Sequence, residues 1–302
     1  MSEPRSLPAP AALLRPAGLL LGLVVVVLLF LQHPSLAQLF AGVALFLLGM
    51  RYLEDGFRAF TGGALERWLA ASTDRLWKSL TFGTLSTALV QSSSLITLLS
   101  IAFLSAGLIS LTAGIGIVFG ANLGTTTGAW LIALVGLKLD LAQVGMPLLV
   151  FGVVLERNRQ ARWRGTGQVL LGIGLLFLGI DQMKAGFAGL DQVFDLAAYQ
   201  VEGWRGIALY ALLGTLATVL MQSSHATLVL ILTGLAAGQI TYENALALAI
   251  GANIGTTITA IIGAMSSNYQ GKRLAAAHLI FNVATGAIAI IFISQIVWVV
   301  DK

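Results

Sequence analysis

The sequence predicts an all-α polytopic membrane protein made of two inverted-topology repeats, each with a re-entrant helical hairpin, plus one extra N-terminal helix. Composition is the first observation: 57% of the 302 residues are hydrophobic and 10% are charged, whereas soluble domains carry about a quarter charged residues. The second observation is a polar pattern that occurs twice. Its copies are GTLSTALVQSSSLIT (83–97) with GANLGTTT (120–127), and GTLATVLMQSSHATL (214–228) with GANIGTTI (251–258). The spacing from Gln91 to Gln222 equals the spacing from Asn122 to Asn253, so one whole unit is duplicated.

Residues 1–35 lie outside the duplication and form an N-terminal segment with the extra helix. The apolar run 17–31 follows a short Arg-bearing start, as a signal peptide would. The next four residues, Gln32-His33-Pro34-Ser35, contain no clear small-x-small cleavage site. This favours a retained first transmembrane helix over a cleaved signal.

Two apolar stretches, 79–107 and 208–239, differ from ordinary spans because each carries a Gln-Ser-Ser cluster in its middle. A straight helix would place that cluster in hydrocarbon, where polar groups are costly. Each stretch is therefore predicted to be a hairpin that turns at the cluster and leaves on the side where it entered, buried in protein. Ordinary spans need about 20 residues. They are predicted at 12–31, 36–53, 111–136, 139–155, 167–185, 242–265 and 274–299.

The repeats are predicted at 36–155 and 167–302, with a basic cytoplasmic linker at 156–166 between them. The duplication also extends upstream of the hairpins. Gly49 and Gly56 of the first unit match Gly179 and Gly186 of the second. The two pairs have the same spacing, which is slightly shorter than the spacing from Gln91 to Gln222.

Loop charge predicts the orientation. With the N-terminus in the cytoplasm and no crossing counted for a hairpin, the basic segments 51–78, 156–164 and 271–273 fall inside, and the acidic segment 181–205 falls outside. This is the pattern of the positive-inside rule. Each repeat then contains an odd number of full crossings, so the two repeats are inverted.

The two polar clusters are Gln91–Ser94 and Gln222–His225. Serine and glutamine donate and accept hydrogen bonds, so such clusters can bind a cation through oxygens and an anion through hydrogens. Half-helix N-termini at a hairpin turn add N–H groups that favour anions. Neither motif contains lysine or arginine, so a multiply charged anion would need co-bound cations, and neutral oxygens suit sodium. A site that is near-neutral only when fully loaded would couple the two ions obligatorily.

Other functions are weighed on the same residues. Serine and threonine in membrane helices often bond their own backbone or join helices, but this explains an isolated pair better than a duplicated one. An intramembrane hydrolase using Ser224 and His225 is disfavoured, because neighbours on a helix point about 100° apart and the histidine is not duplicated. A channel, an assembly protein and a transporter of another solute stay open.

The net charge of +4 lies mostly on loops, and cysteine is absent, so neither nucleic-acid binding nor a thiolate metal site is predicted.

Four further polar residues are less diagnostic. Arg51 and Asp181 stand at equivalent repeat positions with opposite charge, and interfacial snorkelling is the default for both. His278, with Asn282 one turn on, is expected to make a structural polar contact. His225 is either a proton-sensitive ligand or a neutral, hydrogen-bonded histidine.

The doubled motif resembles the type II sodium-dependent phosphate cotransporter family, whose hallmark is a pair of inverted repeats that each carry a Gln-Ser-Ser-Ser hairpin. The segments 120–126, 251–257 and 276–282 (AAHLIFN) also match, and coverage runs from about 36 to 300. His225 departs from the family pattern, which has serine there. The resemblance is to a bacterial member without the C-terminal cytoplasmic helical domain that many relatives carry.

The resemblance implies sodium-coupled symport of inorganic phosphate by alternating access around a midplane site, in a bacterial inner membrane, with no enzymatic activity. The alternative is a sodium-coupled transporter or exporter of another small anion. No cofactor is expected besides sodium, and a homodimer is compatible with the small-residue helix faces. By matched position, the implied phosphate ligands are Gln91, Ser92, Ser93, Ser94, Gln222, Ser223, Ser224 and His225. The implied sodium ligands are Gln91, Ser93, Asn122, Thr125, Thr126, Gln222, Ser224, Asn253, Thr256 and Thr257.

Overall fold

The computed structural model describes residues 10–61, 67–69, 75–131, 141–191, 201 and 203–300, and every regular element within them is an α-helix. The predicted all-α class is therefore confirmed. Parts of the charged segments 51–78 and 181–205, and the ends of the predicted spans that meet at 132–140, lie outside the described residues.

The main helices of the described residues are numbered in chain order. They are α1 (Pro10–Gln32), α2 (Pro34–Thr61), α3 (Leu76–Val90), α4 (Ser93–Ser105), α5 (Leu111–Leu131), α6 (Leu141–Glu156), α7 (Ala161–Asp191), α8 (Gly203–Met221), α9 (Ser224–Ala236), α10 (Tyr242–Gly255), α11 (Thr257–Met265), α12 (Tyr269–Ile291) and α13 (Ile293–Val300). Helices α10 and α11 continue each other, with an interruption at Thr256.

Five helical segments of the described chain are long and apolar enough to cross a membrane: Pro34–Phe60, Ala161–Leu190, Gly203–Met221, Tyr242–Met265 and Tyr269–Ile291. The outer surface of the molecule is correspondingly apolar, with Leu220 83% and Ile291 70% exposed. Such a surface is unfavourable in water and suits lipid.

Helices α2 and α7 pack against each other at backbone distance. A methyl group added to any of three α2 glycines would lie 2.7–2.8 Å from the carbonyl oxygen of a glycine on α7, so only glycine fits at these crossings. Residue numbers rise along α2 as they fall along α7, so the two helices are antiparallel. The pairs are Gly42–Gly179, Gly49–Gly172 and Gly56–Gly165.

The same close packing occurs once in each repeat, between α3 and α5 and between α8 and α10. A methyl group on Gly124 would lie 2.5 Å from Thr84 O, and one on Gly255 would lie 2.6 Å from Thr215 O. Two further glycine–carbonyl approaches recur at equivalent positions of the two repeats. They are Gly83–Ile117 with Gly214–Leu248, and Gly120–Leu80 with Gly251–Ala211. The sequence duplication is thus also a duplication of backbone packing.

The two halves interlock through the short helices that follow the polar motifs. Helix α4 packs on α11 and α12, and Ile96 and Leu104 of α4 share a buried cluster with Ala260 and Leu274. Helix α9 packs on α2 and α5 of the first half and on α7 of its own half, and Val229 lies in a second buried cluster with Phe46 of α2. Each of these helices is therefore buried against elements of the other half, which brings the starts of α4 and α9 toward each other.

Candidate functional site

Each polar motif stops one helix and starts the next. Gln91 ends α3 with φ 57° and ψ 26°, and Gln222 follows α8 with φ 53°. In the described chain these are the non-glycine residues with positive φ. The serine that follows caps the next helix: Ser92 Oγ accepts from Leu95 N at 3.3 Å, and Ser223 Oγ accepts from Ala226 N at 3.2 Å. A left-handed residue that is not glycine is strained, and such strain concentrates at functional sites.

The two glutamine side chains are held in the same way. Gln91 Nε2 donates to the carbonyl oxygen of Ala88 at 2.5 Å, and Gln222 Nε2 donates to that of Val219 at 2.6 Å, three residues back in each case. Each amide also forms a hydrogen bond with a threonine at or just after the Gly-Ala-Asn segment of the same repeat. Gln91 Nε2 donates to Thr127 Oγ1 at 3.2 Å, and Gln222 Oε1 accepts from Thr259 Oγ1 at 3.1 Å.

All eight predicted phosphate ligands line one cavity of about 190 Å³, which we call the motif cavity. The structure therefore brings together Gln91–Ser94 and Gln222–His225, which are far apart in sequence. Ser93 and Ser224 are 5% and 7% exposed. The remaining lining residues come from α2 and the end of α8: Leu47, Met50, Arg51, Glu54 and Met221.

The N-terminal ends of α4 and α9 both face this cavity. The first N–H groups of a helix have no partner within it, so those of Ser93, Ser94 and Ser224 are available to a ligand. The positive ends of the two helix dipoles add to the same effect. The capping serines accept through Oγ and keep a hydroxyl proton that can be donated. The groups that the two motifs present to the cavity are therefore neutral hydrogen-bond donors, which are suited to an anion.

The other residues implied as sodium ligands lie elsewhere. Asn122, Thr125, Thr126 and Asn253 line a separate cavity of about 620 Å³, which also contains Phe119, Trp130, Phe281 and Thr285. The hydroxyls of Thr125, Thr126, Thr256 and Thr257 each donate to a carbonyl of their own helix or of the residues just before it, at 2.8–3.1 Å. The structure thus unites both halves of the phosphate prediction but places Asn122, Thr125, Thr126, Asn253, Thr256 and Thr257 outside the lining of the motif cavity.

Asn122 belongs to a small polar network with α12. Its Nδ2 donates to Asn282 Oδ1 at 3.5 Å, and its Oδ1 lies 3.4 Å from His278 Nε2. Asn282 Nδ2 in turn donates to the His278 carbonyl at 2.9 Å. His278 therefore makes the structural polar contact that its position in the sequence predicts.

His225 forms part of the wall between the motif cavity and an apolar cavity of about 400 Å³. Its ring lies near the backbone of Thr125, and Nε2 is buried without a partner in the described residues. Gly128 makes room for it: a methyl group there would lie 2.5 Å from His225 Nε2 and 2.6 Å from Gln91 Oε1.

Three residues at the site are not identified by sequence reasoning: Arg51, Glu54 and Thr259. The sequence alone assigns Arg51 to the membrane interface. The equivalent residue of the second repeat, Asp181, has the opposite charge, which is a signal that these two positions do not have the same role. Nothing in the sequence marks Thr259, because the residue at its equivalent position in the first repeat is Gly128.

Comparison with known proteins identifies a family model and relatives that match this chain. The family model described as Na+/Pi-cotransporter matches residues 45–185 and 203–302, which include both motifs. A Salmonella typhimurium protein named "Putative inorganic phosphate export protein YjbB" is 31% identical over 270 residues, covering 89% of this chain and 49% of that protein. The Escherichia coli K12 protein of the same name is 31% identical over 86% of this chain and 47% of its own length.

The "Uncharacterized protein YqeW" of Bacillus subtilis is 29% identical over 263 residues, covering 86% of this chain and 83% of that protein. The chain therefore spans about half the length of its YjbB relatives and most of the length of YqeW. No solved structure matches the chain. The family model covers most of the chain and both polar motifs, and the spans are long enough for a bilayer, so this chain is an integral membrane protein that belongs to the Na+/Pi-cotransporter family.

Proposed function

We propose that this protein is a secondary active transporter that moves inorganic phosphate together with sodium, by alternating access around the cavity between Gln91–Ser94 and Gln222–His225. The observation that carries the proposal is the convergence of two helix N-termini and their serine hydroxyls on that one cavity. A tetrahedral oxyanion accepts several hydrogen bonds at once, and helix N-termini are favourable sites for phosphate. The YjbB relatives are named as inorganic phosphate export proteins, which supports phosphate as the anion.

Sodium coupling is proposed from the charge balance of the site and from the family description. A doubly charged anion is costly at membrane depth without compensation. Gln91 Oε1 accepts no hydrogen bond from the described residues and lies beside the cavity. A neutral amide oxygen of this kind is a ligand for hard cations. A cation held there would neutralise part of the charge of the bound anion.

Inverted repeats are proposed from the packing of α2 on α7. Gly49 of α2 corresponds to Gly179 of α7, and at the same spacing Gly42 corresponds to Gly172. The contact Gly42–Gly179 therefore becomes the contact Gly172–Gly49 when the two repeats are exchanged, and both contacts are present. Equivalent helices that pack antiparallel in this way are expected of inverted repeats around a midplane site, the arrangement that supports alternating access.

The direction of transport follows from the gradients, because a coupled transporter is reversible. The relatives named as phosphate export proteins favour export as one physiological direction. Hydrolysis is disfavoured, because His225 Nε2 is buried without a hydrogen-bond partner in the described residues and so does not contact a serine hydroxyl as a general base would. Transport of another small anion through the same site is the alternative.

Phosphate binding to the purified protein in sodium and in choline tests the proposal by calorimetry. We expect binding in sodium only. Gln222→Ala should weaken binding at least about 10-fold, since a hydrogen bond to a charged ligand contributes about 1.5–3 kcal/mol. Gln270→Ala is the matched control, because Gln270 is exposed on α12 and does not line the cavity.

Equal binding in both salts would refute sodium coupling. No phosphate binding by the folded protein would refute phosphate as substrate and direct the same assay to sulfate and arsenate. Sodium-driven phosphate flux in proteoliposomes separates a transporter from a protein that only binds phosphate.

A further inference from the structure

The wall of the motif cavity that comes from α2 carries two charged residues, Arg51 and Glu54. They lie three residues apart, on one face of the helix. Arg51 lines the cavity and is also exposed, so its charge remains hydrated while the cavity is empty. An exposed guanidinium avoids the large desolvation cost that a fully buried one would carry.

The charges of this wall do not cancel. Glu54 Oε1 accepts from Arg58 Nη2 at 2.8 Å, so the carboxylate is already paired by a residue outside the cavity lining. Arg51 forms no ion pair with any described residue. Among the described residues that line the cavity, the net uncompensated charge is therefore positive and belongs to Arg51.

The second repeat does not offset this charge. The positions equivalent to Arg51 and Glu54 on α7 are Asp181 and Lys184, with both signs reversed. Neither residue lines the motif cavity. The duplication places the same polar motifs on two sides of the cavity, but a fixed cation on one side only.

We infer that Arg51 binds the transported oxyanion directly and makes the cavity selective for anions of this class. A planar guanidinium matches two oxygens of a phosphate or a similar oxyanion with two parallel hydrogen bonds. The N-termini of α4 and α9 supply the remaining donors. A doubly charged phosphate beside Arg51 leaves one negative charge, which one sodium ion balances, so Arg51 reduces the number of cations that a neutral loaded site requires.

The inference rests on the proposed function and is tested by phosphate calorimetry in sodium with four purified variants. Arg51→Gln should bind phosphate about 10- to 100-fold more weakly, the range expected for losing a hydrogen bond to a charged group. Arg51→Lys should be intermediate, because it keeps the charge and loses the fork geometry. Glu54→Gln should bind equally or more tightly, because it removes a negative charge from the same wall. Arg162→Gln is the matched control, since Arg162 is exposed at the start of α7 and outside the cavity lining.

Weaker binding by Arg51→Gln without weaker binding by Glu54→Gln distinguishes an electrostatic role from structural damage, which would weaken binding in both variants. A second measurement is the thermal stabilisation that phosphate gives: Arg51→Gln should keep the melting temperature of the unliganded protein and lose the phosphate-induced rise. Wild-type affinity in Arg51→Gln, or equal loss in Glu54→Gln, overturns the inference and leaves the proposed function standing. If the wild type binds sulfate or arsenate in place of phosphate, the proposed substrate fails and the same variants are compared with that anion. If the wild type binds none of them, both proposals fail.

Discussion

At the scale of single residues, the pair Gln-Ser has a local task in both motifs before any ligand is bound. Gln91 and Gln222 take the left-handed conformation that ends a helix, and their amides bond the carbonyls that the helix end leaves open. Ser92 and Ser223 then satisfy an N–H of the next helix, a cap that contributes about 1 kcal/mol. The motif is therefore a helix-stop and helix-start signal whose remaining donors face the cavity.

Gly128 gives the first residue-scale prediction. Gly128→Ala places a methyl group 2.5–2.6 Å from His225 Nε2 and Gln91 Oε1, so both side chains must move. We expect about 10-fold weaker phosphate binding by calorimetry, because crowding in packed sites displaces side chains. In His225→Ser the ring is gone and only the contact with Gln91 Oε1 remains, so the added methyl group should then cost less than it does in the wild type. The prediction is contradicted if Gly128→Ala binds like the wild type, or if the two substitutions have additive effects.

At the scale of helices, the positions of α3, α5, α8 and α10 depend on glycines that let two backbones meet. At Gly251 a side-chain carbon would meet the carbonyl oxygen of Ala211, and it would lie 2.9 Å from Thr215 N. Because both neighbours are backbone atoms, no rotamer change can relieve the overlap. These contacts set the angle at which each polar motif reaches the cavity.

Gly251→Ala tests this packing. We expect the free energy of unfolding to fall by about 1–3 kcal/mol, since the helices must separate to admit the methyl group. Thermal unfolding in detergent measures the change. Gly22→Ala on α1 is the control, because nothing lies within 4 Å of a methyl group there. Equal stability of the two variants would show that α8 and α10 adjust freely.

At the scale of the whole molecule, the cavity exists only because the halves interlock. Helix α4 packs on α11 and α12, and α9 packs on α2 and α5, so neither motif reaches the cavity without the other half of the chain. Exchange between two arrangements of such interlocked units is the physical basis of alternating access. It requires the two repeats to have opposite orientation in the membrane.

Single cysteines test that orientation, because the natural chain contains none. Ala106 and Ala236 are exposed residues at the ends of α4 and α9. With the orientation predicted from loop charge, a membrane-impermeant maleimide should label Ala106→Cys from the cytoplasmic side and Ala236→Cys from the outside. Labelling of both from one side, in vesicles of known orientation, contradicts the inverted arrangement.

Much of the fold can be predicted from local pattern, and so can the residues of the two polar motifs that line the cavity. The all-α class follows from apolar runs, and the breaks at Gln91 and Gln222 follow from polar clusters placed where a straight helix could not hold them. Both are local effects, so a single sequence suffices to predict them. The duplication further predicts that the two motifs belong to one site, and all their residues line one cavity.

The amino-acid sequence alone establishes the helical membrane class, the duplicated unit and the two points where its helices break. The packed helices were needed to show that Arg51 and Glu54 face the motifs, that Thr259 contacts Gln222, and that Asn122 and Asn253 line a different cavity. This division arises because hydrophobic pattern and capping act over a few residues. The rotation of α2 about its axis, and the approach of one repeat to the other, are set by contacts between residues far apart in the sequence, such as Gly42 with Gly179.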